Sequence, residues 1–188
     1  MYVRMQRGST MLDMKDGKWA IRAYDQALRH APSNEVRSVI QGARGDVYYQ
    51  TLDTRRSYAS YDRALKYNPD NVLVLNNYAY YLSVVDRDLD KALKMAARVM
   101  ELEPGNATYI DTYAWVLYKM GRYEEAKKSM QQAIALDSRG SSELFLHYGD
   151  ILYELGDYFM AGFYWKKALE AGHDEAVINE RLKKIEGK

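Results

Sequence analysis

Apolar positions along this chain recur at helical spacing, and the helical stretches come in pairs. A stripe at positions i, i+3, i+4 and i+7 is formed by Leu75, Tyr78, Ala79 and Leu82. After a polar break at residues 85–88, a second stripe runs from residue 89 to residue 100. Each stripe is typical of an amphipathic helix with one buried face. The pattern therefore predicts a helix, a short turn and a second helix.

This paired unit recurs five times at a spacing of 34 to 37 residues. Every copy has one small residue in its first helix and another twelve or thirteen positions later. The pairs are Gly8 and Ala20, Gly45 and Ser57, Ala79 and Ala92, Ala114 and Ala126, and Gly149 and Ala161. A period of this length is typical of stacked helical repeats. The sequence therefore predicts an array of helical hairpins.

Proline and glycine mark where the helices end. Pro69 and Pro104 follow second helices, because proline lacks an N–H and disfavours helix in the residue before it. Gly121 and Gly156 stand at turns inside the fourth and fifth copies, where glycine can close a helix.

The small residues predict where two helices of one hairpin cross. We expect Gly45 to face Ser57 and Gly149 to face Ala161, because helices approach closely only where side chains are short. Larger residues are expected to fill the space around each crossing, and those of the second helices are Tyr24, Tyr61, Met130 and Trp165.

The order of small, aromatic and proline positions resembles the tetratricopeptide repeat (TPR), a 34-residue helix–turn–helix unit. The matching copies are residues 1–34, 38–71, 72–106, 107–140 and 142–175. The resemblance implies an all-α fold, a right-handed superhelix of five repeats in a single domain over residues 1–188. A capping helix over about 175–186 is expected, with Ile178, Leu182 and Ile185 as its apolar stripe. Residues 76–82 and 113–118 resemble bacterial TPR proteins, many of them exported or lipid-anchored.

The TPR resemblance also implies a concave groove lined by first helices. The residues expected to bind a partner there are Asp46, Tyr49, Asn76, Asn77, Tyr80, Asp111, Thr112, Trp115, Tyr118, Asp150, Tyr153 and Glu154. Lys119, Glu143 and His147 are also expected on this face. It is acidic and aromatic, so the leading hypothesis is a protein–protein interaction scaffold that binds a peptide or protein of basic or neutral character. The alternative is a structural spacer or oligomerisation module of a larger multi-repeat protein.

Composition and charge argue against several other classes of function. The chain has 27 basic and 26 acidic residues and a formal net charge of +1, so no basic surface for nucleic acid is expected. It has no cysteine, and its three histidines form no metal-binding motif, so neither a cofactor nor a metal is expected. Asp150 and Glu154 share one helical face, but we expect them to be a solvated pair rather than catalytic carboxylates. No enzymatic activity is predicted.

TPR co-chaperones bind the C-terminal carboxylate of a chaperone, and the sequence can be compared with the residues that do so. Their carboxylate clamp uses lysine, arginine and asparagine in three successive repeats. The matching positions here are Gly42, Asp46, Asn77, Thr108 and Thr112. Only Asn77 fits, so binding of a chaperone tail is not expected.

The first copy matches the repeat least well, because its first helix carries Arg4, Gln6, Arg7, Ser9 and Thr10. It is expected to be a solvated end of the array, or the point where a longer protein was cut. This end is also where contacts between copies of the chain are expected. If the protein is exported, its signal lies upstream and the compartment is periplasmic or outer-membrane-associated; otherwise it is cytoplasmic.

Overall fold

The computed structural model of the protein describes residues 14–187, and within them every regular element is a helix. The ten helices of this range are α1 Met14–Arg29, α2 Asn34–Gln50, α3 Thr54–Tyr67, α4 Val72–Val84, α5 Leu89–Leu102, α6 Ala107–Lys119, α7 Tyr123–Leu136, α8 Ser142–Glu154, α9 Tyr158–Glu170 and α10 Glu175–Lys183. The predicted all-α class and the predicted helix pairs are confirmed. Residues 1–13, where the sequence predicts the first helix of repeat one, lie outside the described residues.

The repeat boundaries agree with the predicted ones in the later copies. α4, α6 and α8 begin at Val72, Ala107 and Ser142, the predicted first residues of repeats three to five. α2 begins at Asn34, four residues before the predicted start of repeat two at residue 38. The reason is local: the Ser33 side chain accepts a hydrogen bond from the Val36 N–H and caps the helix at this earlier point.

The turns inside the repeats share one backbone motif. After α6, Gly121 has φ +74°, and the Arg122 N–H donates to the Leu117 carbonyl at 3.0 Å. After α8, Gly156 repeats this motif. A residue with positive φ that closes a helix in this way is a Schellman cap. Repeat two has the same motif with Leu52 in the glycine position, at φ +62°.

The chain divides into two compact units, the first ending at Tyr78 and the second beginning at Ala79. In the first unit the core includes Tyr61, Ala64, Leu75 and Tyr78, all buried. Aromatic contacts hold it together, because the Tyr78 ring lies 5.2 Å from that of Tyr61. This core joins α2 and α3 to the first half of α4.

The core of the second unit is larger and extends from α6 to α10. Its largest fully buried side chains are Ile110, Leu117, Met130, Ile151, Trp165 and Ile178. Ile178 is fully buried, and Leu182 and Ile185 pack against the same core. The predicted apolar stripe of the capping helix is therefore confirmed, although α10 ends at Lys183 rather than near residue 186. No helix among residues 14–187 is long and apolar enough to cross a membrane.

Candidate binding surface

The glycines at two helix crossings contact an aromatic ring of the second helix. A Cβ on Gly45 would lie 2.5 Å from the Tyr61 ring, and one on Gly149 would lie 2.4 Å from the Trp165 ring. Both distances are shorter than van der Waals contact, so only glycine fits at either position. The predicted close crossings exist, but the rings of Tyr61 and Trp165 occupy them directly.

The residue after each of these glycines is an aspartate that binds the same aromatic side chain. In the first unit the Tyr61 hydroxyl donates to Asp46 Oδ1 at 2.5 Å, and Asn77 Nδ2 donates to the same oxygen at 3.1 Å. Burial raises the pKa of Asp46, although the hydrogen bonds from Tyr61 and Asn77 oppose the shift. Two of the predicted groove residues, Asp46 and Asn77, are therefore bonded to each other.

Asp150 has the equivalent arrangement in the second unit. The Trp165 indole N–H donates to its Oδ1 at 3.0 Å. Arg181 of α10 donates to both carboxylate oxygens, at 2.6 and 2.8 Å. The Asp150 side chain is only 9% exposed and that of Arg181 is 20% exposed. The prediction of a solvated pair of Asp150 and Glu154 was wrong: Asp150 is a buried carboxylate that ties the capping helix to the last repeat, while Glu154 is exposed.

Asp111 is also paired within the protein. His147 Nδ1 lies 2.7 Å from Asp111 Oδ1, and both side chains are almost completely buried. Burial disfavours the charged imidazole, but the carboxylates of Asp111, Glu143 and Asp150 outweigh it, so the pKa of His147 is raised. The hydrogen-bond partner of His147 therefore lies on the preceding first helix, 36 residues earlier in the chain.

Aromatic rings cover this buried pair. The Trp115 ring stacks on the His147 ring at 4.1 Å and on the Tyr118 ring at 4.7 Å. The Lys119 ammonium lies 5.9 Å from the Trp115 ring centroid and forms an ion pair with Asp86 at 2.9 Å. Trp115, Tyr118 and Lys119 are all half-buried. The stack is therefore fixed from both sides and keeps part of its surface in solvent.

Tyr118 lies beside the carboxylates of the next first helix. Its pKa is raised, first by burial and then by the negative charges of Asp150 and Glu154. Tyr153, one residue before Glu154, packs on Tyr158 and Trp165 with ring centroids 5.4 and 5.8 Å apart. The second unit thus brings Trp115, Tyr118, Asp150 and Glu154 together on the first-helix side.

The remaining residues predicted for the groove differ in how far they are buried. Asn76 is buried, its Nδ2 donates to Asn77 at 3.4 Å, and its Oδ1 has no partner. Thr112 is buried and donates to the Thr108 carbonyl. Tyr49 and Tyr80 are half-buried; burial raises the pKa of Tyr49, and the Tyr80 ring lies 5.9 Å from that of Tyr81.

A single spacing rule describes these contacts. Asp46 binds residues 15 and 31 positions later, Tyr61 and Asn77, and Asp150 binds Trp165 and Arg181 at the same two spacings. The two intervening repeats differ at all three positions: alanine replaces the glycine, an aromatic residue replaces the aspartate, and methionine replaces the ring of the second helix. In repeat three these residues are Ala79, Tyr80 and Met95, and in repeat four they are Ala114, Trp115 and Met130. Sequence reasoning missed Arg181, because the 31-residue spacing is visible only once the Asn77–Asp46 hydrogen bond is known from the structure.

No group of three histidine, aspartate or glutamate side chains within the described part of the chain is arranged to hold a metal ion. In the second unit the buried carboxylates of Asp111 and Asp150 are paired with His147 and Arg181. The half-buried rings of Trp115, Tyr118 and Tyr153 lie on the same face. Such an arrangement can present a rigid surface to another molecule.

Comparison with known families agrees with this architecture. The family model described as tetratricopeptide repeat matches residues 60–94, and the model described as anaphase-promoting complex, cyclosome, subunit 3 matches residues 86–164. The chain therefore matches a tetratricopeptide repeat over residues 60–94, and its paired helices have the fold of TPR proteins. TPR proteins are scaffolds for protein–protein interaction, so this chain has the fold of a non-catalytic binding module.

Solved TPR structures resemble the chain over most of its length. PilF of Pseudomonas aeruginosa is 22% identical with a TM-score of 0.73, and PilW, a type IV pilus biogenesis factor, is 18% identical with a TM-score of 0.78; the match covers 91% of this chain and 77% of each of theirs. A thermophilic TPR protein of Thermus thermophilus is 16% identical with a TM-score of 0.69, and the match covers 91% of both chains. No curated protein matches the sequence.

Proposed function

We propose that this TPR protein is an adaptor that binds an extended peptide segment of a protein partner on the first-helix face. The proposed contact residues, drawn from those that the sequence predicts for the groove, are the half-buried rings of Trp115, Tyr118 and Tyr153 and the exposed Glu154, all in the second unit. Within the second unit, the observation that supports the proposal best is the stack of Trp115 on Tyr118 and His147, held next to the exposed carboxylate of Glu154. Rigid aromatic rings lose little entropy when they bind and make effective anchors.

The charge of this surface supports a basic or neutral partner. Asp150 is ion-paired with Arg181 and Asp111 is hydrogen-bonded to His147, so these two carboxylates offer little to a ligand. Glu154 forms no ion pair with any described residue and lies near Tyr118. We infer that Tyr118 and Glu154 contact the partner directly, while Asp111 and Asp150 position the surface. A lysine or arginine of the peptide would then lie against Glu154.

The experiment is a selection of displayed random peptides on the wild-type protein, followed by affinity measurements on single variants. We expect selected peptides to carry a basic residue, and we expect Glu154→Lys and Tyr118→Ala each to weaken their binding at least tenfold. Glu124→Lys is the matched control, because Glu124 is exposed on α7, a second helix. Peptides that bind Glu154→Lys and Tyr118→Ala as tightly as they bind the wild type would refute the proposal.

The oligomerisation alternative rests on a different observation. In the first unit, Trp19 of α1 is 64% exposed and Val39 of α2 is 61% exposed, which is unusual for large apolar residues. A second copy that covers them would make the chain an assembly module. Light scattering of the wild type and of Trp19→Ser tests this alternative: a dimer lost in the variant supports it, and a monomeric wild type excludes it.

A further inference from the structure

The last repeat has two exposed phenylalanines where the other repeats have polar or small residues. Phe159 is 83% exposed and Phe163 is 45% exposed, one turn apart on α9. The corresponding exposed pairs of repeats two, three and four are Arg55 and Ala59, Asp90 and Lys94, and Glu124 and Lys128. A charged pair at this spacing favours the helix and its solubility, whereas a pair of phenylalanines favours neither.

The choice of phenylalanine is selective within this chain. The sequence contains 18 tyrosines but only three phenylalanines, and all three lie in the last repeat, at Phe145, Phe159 and Phe163. Tyrosine at a surface keeps its hydroxyl in water, while phenylalanine exposes only apolar area. The exposed rings of Phe159 and Phe163 are therefore better explained by contact with another molecule than by folding.

A lysine lies among Phe163 and two neighbouring rings. Lys167 Nζ is 5.0 Å from the Phe163 ring, 5.5 Å from the Phe145 ring and 5.9 Å from the Tyr164 ring. It forms no ion pair with any of the described residues. Rings attract a cation through their faces but leave its charge unneutralised. Phe159, Phe163 and Lys167 stand at i, i+4 and i+8, so they form one line along α9.

We propose that this line, which we call the phenylalanine patch, is a docking surface for an acidic amphipathic helix of a partner protein. The partner would place two apolar side chains, one helical turn apart, on Phe159 and Phe163. It would place a carboxylate one turn further, at Lys167. The charge of the patch is complementary to this ligand, because the exposed Lys166 adds a second cation beside Lys167. The surface is separate from the first-helix face proposed above.

The probe is a synthetic helical peptide with leucine at two positions one turn apart and glutamate one turn further, titrated into the full chain by isothermal calorimetry and by NMR. We expect binding that shifts the amides of α9. Two control peptides change one feature each: lysine for the glutamate, or alanine for both leucines. Each control peptide is expected to bind at least tenfold more weakly than the probe.

Protein variants test the same contacts from the other side. Phe159→Glu combined with Phe163→Lys gives the patch the charged pair of repeat four, so this variant should fold normally. This double variant is expected to bind the probe at least tenfold more weakly than the wild type. Lys167→Glu should weaken probe binding to the same extent, and it should strengthen binding of the control peptide that carries lysine. Leu136→Ala is the matched control, because Leu136 is 47% exposed on α7, outside the patch; it should bind like the wild type.

Several outcomes would overturn the proposal. One is equal binding of the probe to the wild type and the double variant, or no binding at all. Another is a wild-type dimer, detected by light scattering, that the double variant lacks, because the patch would then pair two copies of the chain. A third is binding to vesicles of phosphatidylcholine and phosphatidylglycerol that the double variant loses, because the ligand would then be a lipid surface.

Discussion

The indole N–H of Trp165 and the carboxylate of Asp150 form a buried hydrogen bond of 3.0 Å between the two helices of the last repeat. Arg181 of the capping helix donates to both oxygens of the same carboxylate, from Nε to Oδ1 and from Nη2 to Oδ2. One aspartate therefore joins both helices of a repeat to the element stacked on it.

Asp150→Ala is expected to destabilise the second unit strongly. The substitution leaves the Trp165 N–H unpaired and the largely buried Arg181 guanidinium without its counter-ion, at a cost of roughly 3–5 kcal/mol. Urea denaturation measures the change in the free energy of unfolding. Glu154→Ala is the control on the same helix, and it should change the free energy by less than about 0.5 kcal/mol. Equal effects of the two substitutions would contradict the assigned role of Asp150.

Gly149→Ala should destabilise the second unit, and it should do so less when Trp165 is replaced by the smaller methionine. The new Cβ would lie 2.4 Å from the Trp165 ring, and overpacking of this kind costs about 1–3 kcal/mol. Repeats three and four combine alanine with methionine at the same two places. We therefore expect Gly149→Ala and Trp165→Met to be non-additive, with the double variant more stable than the sum of the single effects by about 0.5–3 kcal/mol. Thermal and urea melts of the four proteins give this coupling, and strict additivity would refute it.

The His147–Asp111 pair predicts a pH dependence of stability. The folded-state pKa of His147 is raised, so folding favours its charged form. This contribution is fully present below about pH 6.5, the ordinary histidine pKa, and is lost as the pH rises through the raised folded-state value. Denaturation between about pH 5.5 and 9 should show a decline in stability that His147→Gln reduces. His173→Gln is the control, since His173 lies farther from its carboxylate, 3.7 Å from Glu143. A decline that is unchanged in His147→Gln would contradict the prediction.

Leu52→Gly is expected to stabilise the first unit. Leu52 has φ +62° and its side chain is 70% exposed, so the leucine strains the backbone and buries little. A left-handed backbone costs an L-residue about 1–2 kcal/mol, and the added chain entropy of glycine offsets part of the gain. We expect a net stabilisation of about 0.5–1 kcal/mol by urea denaturation. Gly121→Leu places leucine in the equivalent turn and should have the opposite sign; the same sign for both would refute the explanation.

The fold could be predicted from the sequence because local chemistry sets it. Pro69 and Pro104 end helices, Gly121 and Gly156 close them, and Ile178 marks the buried face of the cap. Whether each carboxylate is buried and paired or exposed to solvent could not be predicted in this way. Whether Asp150 faces solvent depends on Arg181, 31 residues away, and the periodicity of a single helix carries no information about that distance. Leu52 was missed for the opposite reason, since a backbone motif that usually needs glycine forms here without it.

The difference between the glycine–aspartate repeats, two and five, and the alanine–aromatic repeats, three and four, has a consequence for how this gene can change. Neighbouring repeats contact each other through specific pairs: Asn77 on Asp46, His147 on Trp115 and, at the cap, Arg181 on Asp150. Duplication or loss of one repeat by recombination would place side chains together that do not match. Repeats of this array are therefore not interchangeable modules, and their number and order are expected to be inherited together.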